Sequence, residues 1–149
     1  MNYLLDTNMI VFRFDKNLIP QYQKVHKKFA TLTNQDNLYI SILTLYELEY
    51  SVFNADLSQR PFLQWMVDQT KAKFQVLPLT HSGARIYGEL KSRLKEARNI
   101  SRDNIKKHNI DVMLAGTAIK EGCILVSDDG IFKDICGINN KFLFENWLW

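Results

Sequence analysis

The stretch Tyr3-Leu4-Leu5-Asp6-Thr7-Asn8 is a short apolar run that stops abruptly at an acid. A run of this length and character reads as a buried strand. Asp6, which ends it directly, gains nothing structurally from standing there, whereas Thr7 and Asn8 suit caps for a helical turn over residues 9–14. The same alternation continues outward from this block. Pro20 opens a helix to about Thr33, with Tyr22, Val25, Phe29 and Leu32 at three- and four-residue spacing. Residues 38–42 read as a strand, and Thr44 starts a helix through Leu45, Leu48 and Val52. A helix follows over 60–70, then a strand over 74–77 that Pro78 stops, then a long helix over 80–97. Residues 110–120 are helical and end at Gly122, 123–126 form a buried strand, Asp128-Asp129-Gly130 turns the chain, and 141–144 add a last strand. This rhythm predicts an α/β fold, a three-layer α/β/α domain with a mainly parallel central sheet, spanning residues 1–149 as one unit. In such folds the working crevice lies at the carboxyl ends of the strands.

Composition narrows the function classes. With 46% hydrophobic and 23% charged residues in 149, the chain reads as globular, neither disordered nor fibrous. No apolar run approaches the roughly 18 residues of a membrane span, and the acid at position 6 comes too early for a signal peptide. A cytoplasmic location is therefore expected. Cys123 and Cys136 read as core thiols, and His26, His81 and His108 lie far from them in sequence, which argues against a zinc site. The net charge of +3 is unevenly spread. Residues 91–107 hold seven bases against two acids, a local +5 that leaves about −2 for the rest. Such a segment suits either phosphate contact or an ordinary solvated helix and loop.

Four acids fall at the expected working rim. Asp6 follows the first strand, Glu47 lies in the first turn of the helix after the second, Asp111 opens the helix before the fourth, and Asp129 follows that strand. Carboxylates crowded together repel, and a bound divalent cation relieves the repulsion. Hard oxygen donors without nearby His or Cys favour magnesium or manganese. Ions so held activate a water and stabilise the oxygens of an in-line phosphoryl displacement. Each acid also has an ordinary structural explanation. Thr44-Leu45-Tyr46-Glu47 matches a capping box, Asp111 suits a helix N-terminus, and Asp128-Asp129-Gly130 is common turn chemistry. The joint placement carries the argument.

At these residues the sequence resembles a PIN-domain protein, and more narrowly a VapC-type toxin of a bacterial toxin–antitoxin pair. The opening block is similar to the family's hydrophobic-Leu-Asp-Thr-Asn/Ser motif. Ile40-Ser41-Ile42-Leu43-Thr44-Leu45-Tyr46-Glu47-Leu48 resembles its second block, and Asp111-Val112-Met113-Leu114-Ala115-Gly116-Thr117-Ala118 its Asp-x-x-Ile-Ala-x-x-Ala helix. Val126-Ser127-Asp128-Asp129-Gly130-Ile131-Phe132 resembles the final Val-Thr-x-Asp-x-x-Phe block, and the four stand in order over nearly the whole chain.

The resemblance implies a metal-dependent endoribonuclease acting on tRNA or other structured RNA, a homodimer, and an antitoxin that inserts a segment near the active site. Asp6, Glu47, Asp111 and Asp129 then hold one or two Mg2+ or Mn2+ ions, with Asn8 and Ser127 orienting water or a carboxylate. Arg93, Arg98, Arg102, Lys106 and Lys107 are the candidate RNA contacts. Gly116 stands where the family favours Ala, and Asp103 and Asp128 are rival acids for the metal site. Phe142, Phe144 and Trp147 suit the core. Leu148 and Trp149, if exposed, offer a dimer or antitoxin contact, as do Tyr46, Tyr50 and Phe53.

Rival readings have less behind them. A phosphatase of the haloacid-dehalogenase type needs Asp-x-Asp, and Asp6-Thr7-Asn8 lacks the second acid. Gly83 and Gly88 have P-loop spacing, but Glu89 stands where Lys is needed. A receiver domain needs an Asp ending a central strand, and Phe74-Gln75-Val76-Leu77-Pro78 offers none. A non-catalytic RNA- or partner-binding module would keep four repelling acids without use for them.

Overall fold

The computed structural model describes residues 1–149. Strands β1 (Asn2–Leu5), β2 (Asn37–Ser41), β3 (Gln75–Leu77), β4 (Ile124–Val126) and β5 (Leu143–Glu145) form one wholly parallel sheet, ordered β3-β2-β1-β4-β5. β1 is central, with Leu5 opposite Ile40 on one side and Val126 on the other. The chain winds from β1 out to β3, then returns to place β4 and β5 on the opposite edge. The winding direction reverses between β1 and β4, which opens a crevice beyond their carboxyl ends.

Helices cover both faces. α1 (Thr7–Phe14), α2 (Gln21–Phe29), α3 (Ile42–Asn54) and α4 (Arg60–Lys73) share one core with Tyr3, Leu5 and Val126. α5 (His81–Ala97), α6 (Asn109–Glu121) and α7 (Ile131–Ile138) share the other with Leu4 and Leu125. Successive strand side chains point to opposite faces, so a strand buried on both sides reads as an unbroken apolar run. The expected three-layer α/β/α arrangement is the one that forms. No helix is long and apolar enough to cross a membrane.

Several local expectations are corrected. α2 stops at Phe29 rather than Thr33, because Asp36 Oδ2 accepts the Thr33 N–H at 2.9 Å and closes a turn before β2. The cap of α3 is Ser41, whose Oγ accepts the Leu43 N–H at 3.1 Å. Thr44 therefore lies buried inside the helix, the capping box does not form, and Glu47 sits in the second turn. The turn at Asp128-Asp129-Gly130 leads straight into α7, a helix the turn composition alone does not indicate, with Ile131, Phe132 and Ile135 buried. Leu148 is buried beside Trp147, and its carbonyl accepts from Lys24 Nζ at 2.7 Å. Trp149 is 80% exposed, with Lys133 Nζ 3.6 Å from its ring centre.

Candidate active site

The site begins where β1 ends. Asp6 extends the sheet by one bond, its N–H donating to Val126 O at 2.9 Å. Its Oδ1 accepts the Thr7 N–H at 2.7 Å, which makes Asp6 the cap of α1 and corrects the expectation that it had no structural role. Thr7 and Asn8 are thereby released from capping. Thr7 Oγ1 donates to Glu47 Oε1 at 2.9 Å, a link from α1 to α3 that no local pattern in the sequence announces.

Ser127, fully buried after β4, is the hub. Its hydroxyl donates to Asp6 Oδ2 at 2.7 Å and accepts from Asn8 Nδ2 at 3.1 Å and the Asp129 N–H at 3.0 Å. Asp129 Oδ1 in turn accepts the Ile131 N–H at 3.0 Å and holds the start of α7. Asp111 stands in the first turn of α6, with His108 Nδ1 3.5 Å from its Oδ2. Ser127→Ala leaves three of these groups unpaired and is expected to cost about 2 kcal/mol. Urea denaturation checks this, and a loss below about 0.5 kcal/mol would contradict the hub geometry.

Asp6, Glu47, Asp111 and Asp129 line one open cleft of about 560 Å³, whose wall also carries Lys106, Lys107 and Asn109. The rival acids lie outside its lining. Asp103 is exposed and pairs with Lys106 at 3.5 Å, and Asp128 Oδ1 accepts from Asn146 Nδ2 at 3.0 Å. The basic segment does not line the cleft as one continuous surface. Arg93 lies 3.8 Å from Glu89, Arg98 3.3 Å from Asp134, and Arg102 borders a separate groove with Lys95. Buried Ile105 anchors a short 3-10 turn over Asn104–His108, which brings only Lys106 and Lys107 of the five to the cleft.

The acids feel one another. Burial pushes the Asp6 carboxyl up from 3.8 to about 6, offset in part by the Ser127 and Thr7 hydrogen bonds, with Glu47 and Asp111 adding to the rise. Burial and the charge of Asp129 also raise Asp111, against the opposing pull of His108. No three His, Cys, Asp or Glu side chains are already gathered tightly enough to grip an ion. The fit to a divalent cation rests instead on donor chemistry, four carboxylates in one cleft. Beside them the Asn8 Oδ1 oxygen is buried without a hydrogen-bond partner.

A wholly parallel α/β/α domain with four acids at its switch point defines an acidic-cleft α/β protein. A model of the PIN domain matches residues 3–138, and the chain belongs to that family. No curated protein matches the sequence. Among solved structures it is similar to VapBC2 from Rickettsia felis bound to a promoter DNA fragment, at 25% identity over 99% of both chains and a TM-score of 0.72. VapBC-1 from nontypeable Haemophilus influenzae shares the fold at 19% identity over 100% of both chains, with a TM-score of 0.75. VapBC-5 from Mycobacterium tuberculosis, a member of the VapBC family of toxin–antitoxin systems, shares it at 20% identity and a TM-score of 0.64, over 97% of this chain and 96% of that one.

Proposed function

We propose that this protein is a metal-dependent endoribonuclease, the toxin of a toxin–antitoxin pair, which cuts tRNA or another structured RNA. The observation that carries the reading is the gathering of Asp6, Glu47, Asp111 and Asp129 in one cleft with Lys106 and Lys107 on its wall. Membership of the PIN family and the toxin–antitoxin name of a structural neighbour support it.

The four carboxylates would hold one or two Mg2+ or Mn2+ ions, which supply an activated water and charge stabilisation for phosphodiester displacement. The chain's own groups prepare that site. Ser127 fixes Asp6, Thr7 fixes Glu47, and Asn8 holds Ser127 in place. Lys106 and Lys107 draw the polyanion toward a cleft whose own charge would repel it. Lys107→Met is expected to lower the salt slope of RNA binding by about one, while Arg93→Met leaves it unchanged. Fluorescence anisotropy across a salt series reads both slopes.

The same reading makes the protein a cytoplasmic homodimer that an antitoxin neutralises. Tyr46, Tyr50 and Phe53 on α3, each about 70% exposed, and Trp149 are apolar side chains open to such partners. Incubating the protein with total tRNA and a mixed RNA pool, in Mg2+, Mn2+ or EDTA, tests the activity. Cutting that stops in EDTA supports the nuclease. Binding without cutting under every metal favours a binding module, and release of phosphate from monoesters alone favours a phosphatase.

A further inference from the structure

α5 and α6 cross almost backbone to backbone. A Cβ on Gly116 would come within 3.4 Å of the Gly83 carbonyl oxygen and of the Tyr87 nitrogen. Gly116, the residue that departs from the family pattern, thus lies against the stretch of α5 that carries Tyr87. Seven residues before it on α6, two helical turns away on the same face, stands Asn109 at the cleft wall. The Tyr87 hydroxyl reaches Asn109 Oδ1 at 3.2 Å, and Lys91 Nζ reaches the same hydroxyl at 3.2 Å.

This chain of bonds has one direction. An ammonium only donates, so the Tyr87 oxygen accepts from Lys91, and its own hydrogen is free to go on to Asn109 Oδ1. With that hydrogen on Oδ1, the oxygen end of the carboxamide faces Tyr87 and the nitrogen end faces away from it. Oδ1 is engaged, and Nδ2 is left with both hydrogens and no acceptor within the protein. Asn109 lies in a cleft wall that also carries the cations Lys106 and Lys107, while the Thr7 and Asn8 donors of the same lining are engaged with Glu47 and Ser127.

We infer that Asn109 is a substrate-binding residue whose Nδ2 donates to a phosphodiester oxygen of the polynucleotide, and that Tyr87 and Lys91 are the positioning residues that hold it ready. This rests on the nuclease reading for its substrate class. The contact is neutral and oriented, so it adds affinity and register without adding to the salt dependence that the lysines provide.

The test is equilibrium binding of a fluorescein-labelled 2′-O-methyl oligoribonucleotide, which resists cleavage, in the presence of Mn2+. Asn109→Ala is expected to weaken binding about tenfold, the loss of one hydrogen bond to a charged group, with an unchanged salt slope. Tyr87→Phe keeps the ring and removes the hydroxyl, and is expected to weaken binding about threefold. In the Asn109→Ala background it should have no further effect, because the two act through one contact. Asn109→Asp keeps the shape and the bond from Tyr87 but presents an anion, and should bind worse than Asn109→Ala. Wild-type affinity in Asn109→Ala, or a Tyr87→Phe effect that persists in the double variant, would overturn the inference. RNA cutting without an Asn109 effect sinks this proposal alone. An Asn109 effect on binding without RNA cutting by the wild type sinks the nuclease reading alone.

Discussion

Asp6→Asn is expected to abolish RNA cleavage, by about a thousandfold or more, while making the cation-free protein more stable at neutral pH by about 3 kcal/mol. The two effects have one cause. Asp6 is 8% exposed and hydrogen-bonded on both oxygens, yet its pKa still rises to about 6, so the fold holds its charged form at a cost. An amide keeps the shape of the acid without its charge. It cannot serve as an anionic ligand. Cleavage assays and urea denaturation on the same sample check both halves. Loss of activity together with loss of folding would make Asp6 a structural residue only.

The second large effect is the pH dependence of stability. With a carboxyl at 3.8 unfolded and about 6 folded, both states carry the proton below pH 3.8 and the fold bears no penalty. As pH rises through the window from 3.8 to about 6 the unfolded chain loses its proton first, and stability falls. The total fall is about 3 kcal/mol for this one group. Subtracting the pH profile of Asp6→Asn from that of the wild type removes the other titrating residues. Saturating Mn2+ should erase most of the difference at neutral pH, since a cation satisfies the charge that burial penalises. It should do nothing below the window. A flat difference profile would contradict the placement of Asp6 in a desolvated acidic cleft.

Why the strands could be read so well from the sequence, and the site less so, follows from range. β1, β2 and β4 are buried by helices on both faces, so Tyr3-Leu4-Leu5 and Ile124-Leu125-Val126 carry their assignment locally. The four acids follow from strand order together with the family resemblance, because each stands within a few residues of a strand end or helix start. What escaped were facts fixed by residues distant in sequence. Glu47 is released from its own helix because Ser41 caps α3 and Thr7 reaches across from α1. Arg98 pairs with Asp134 of α7, a contact between elements that no local pattern in the sequence indicates. Asn109 looks like an unremarkable polar residue before a helix until the close crossing at Gly116 brings Tyr87 to it. Asp6 shows a subtler failure, since an acid at a strand end also begins the next helix and can serve both elements.

The central claim is that these four carboxylates together make a divalent-cation site. It is tested most directly by titrating Mn2+ into the purified protein and following free ion by electron paramagnetic resonance, for wild type, Asp6→Asn and Asp111→Asn. One or two ions per wild-type chain are expected, with weakened or absent binding in both variants, each still folded by circular dichroism. Equal Mn2+ binding in all three, or none in the wild type, would contradict that claim.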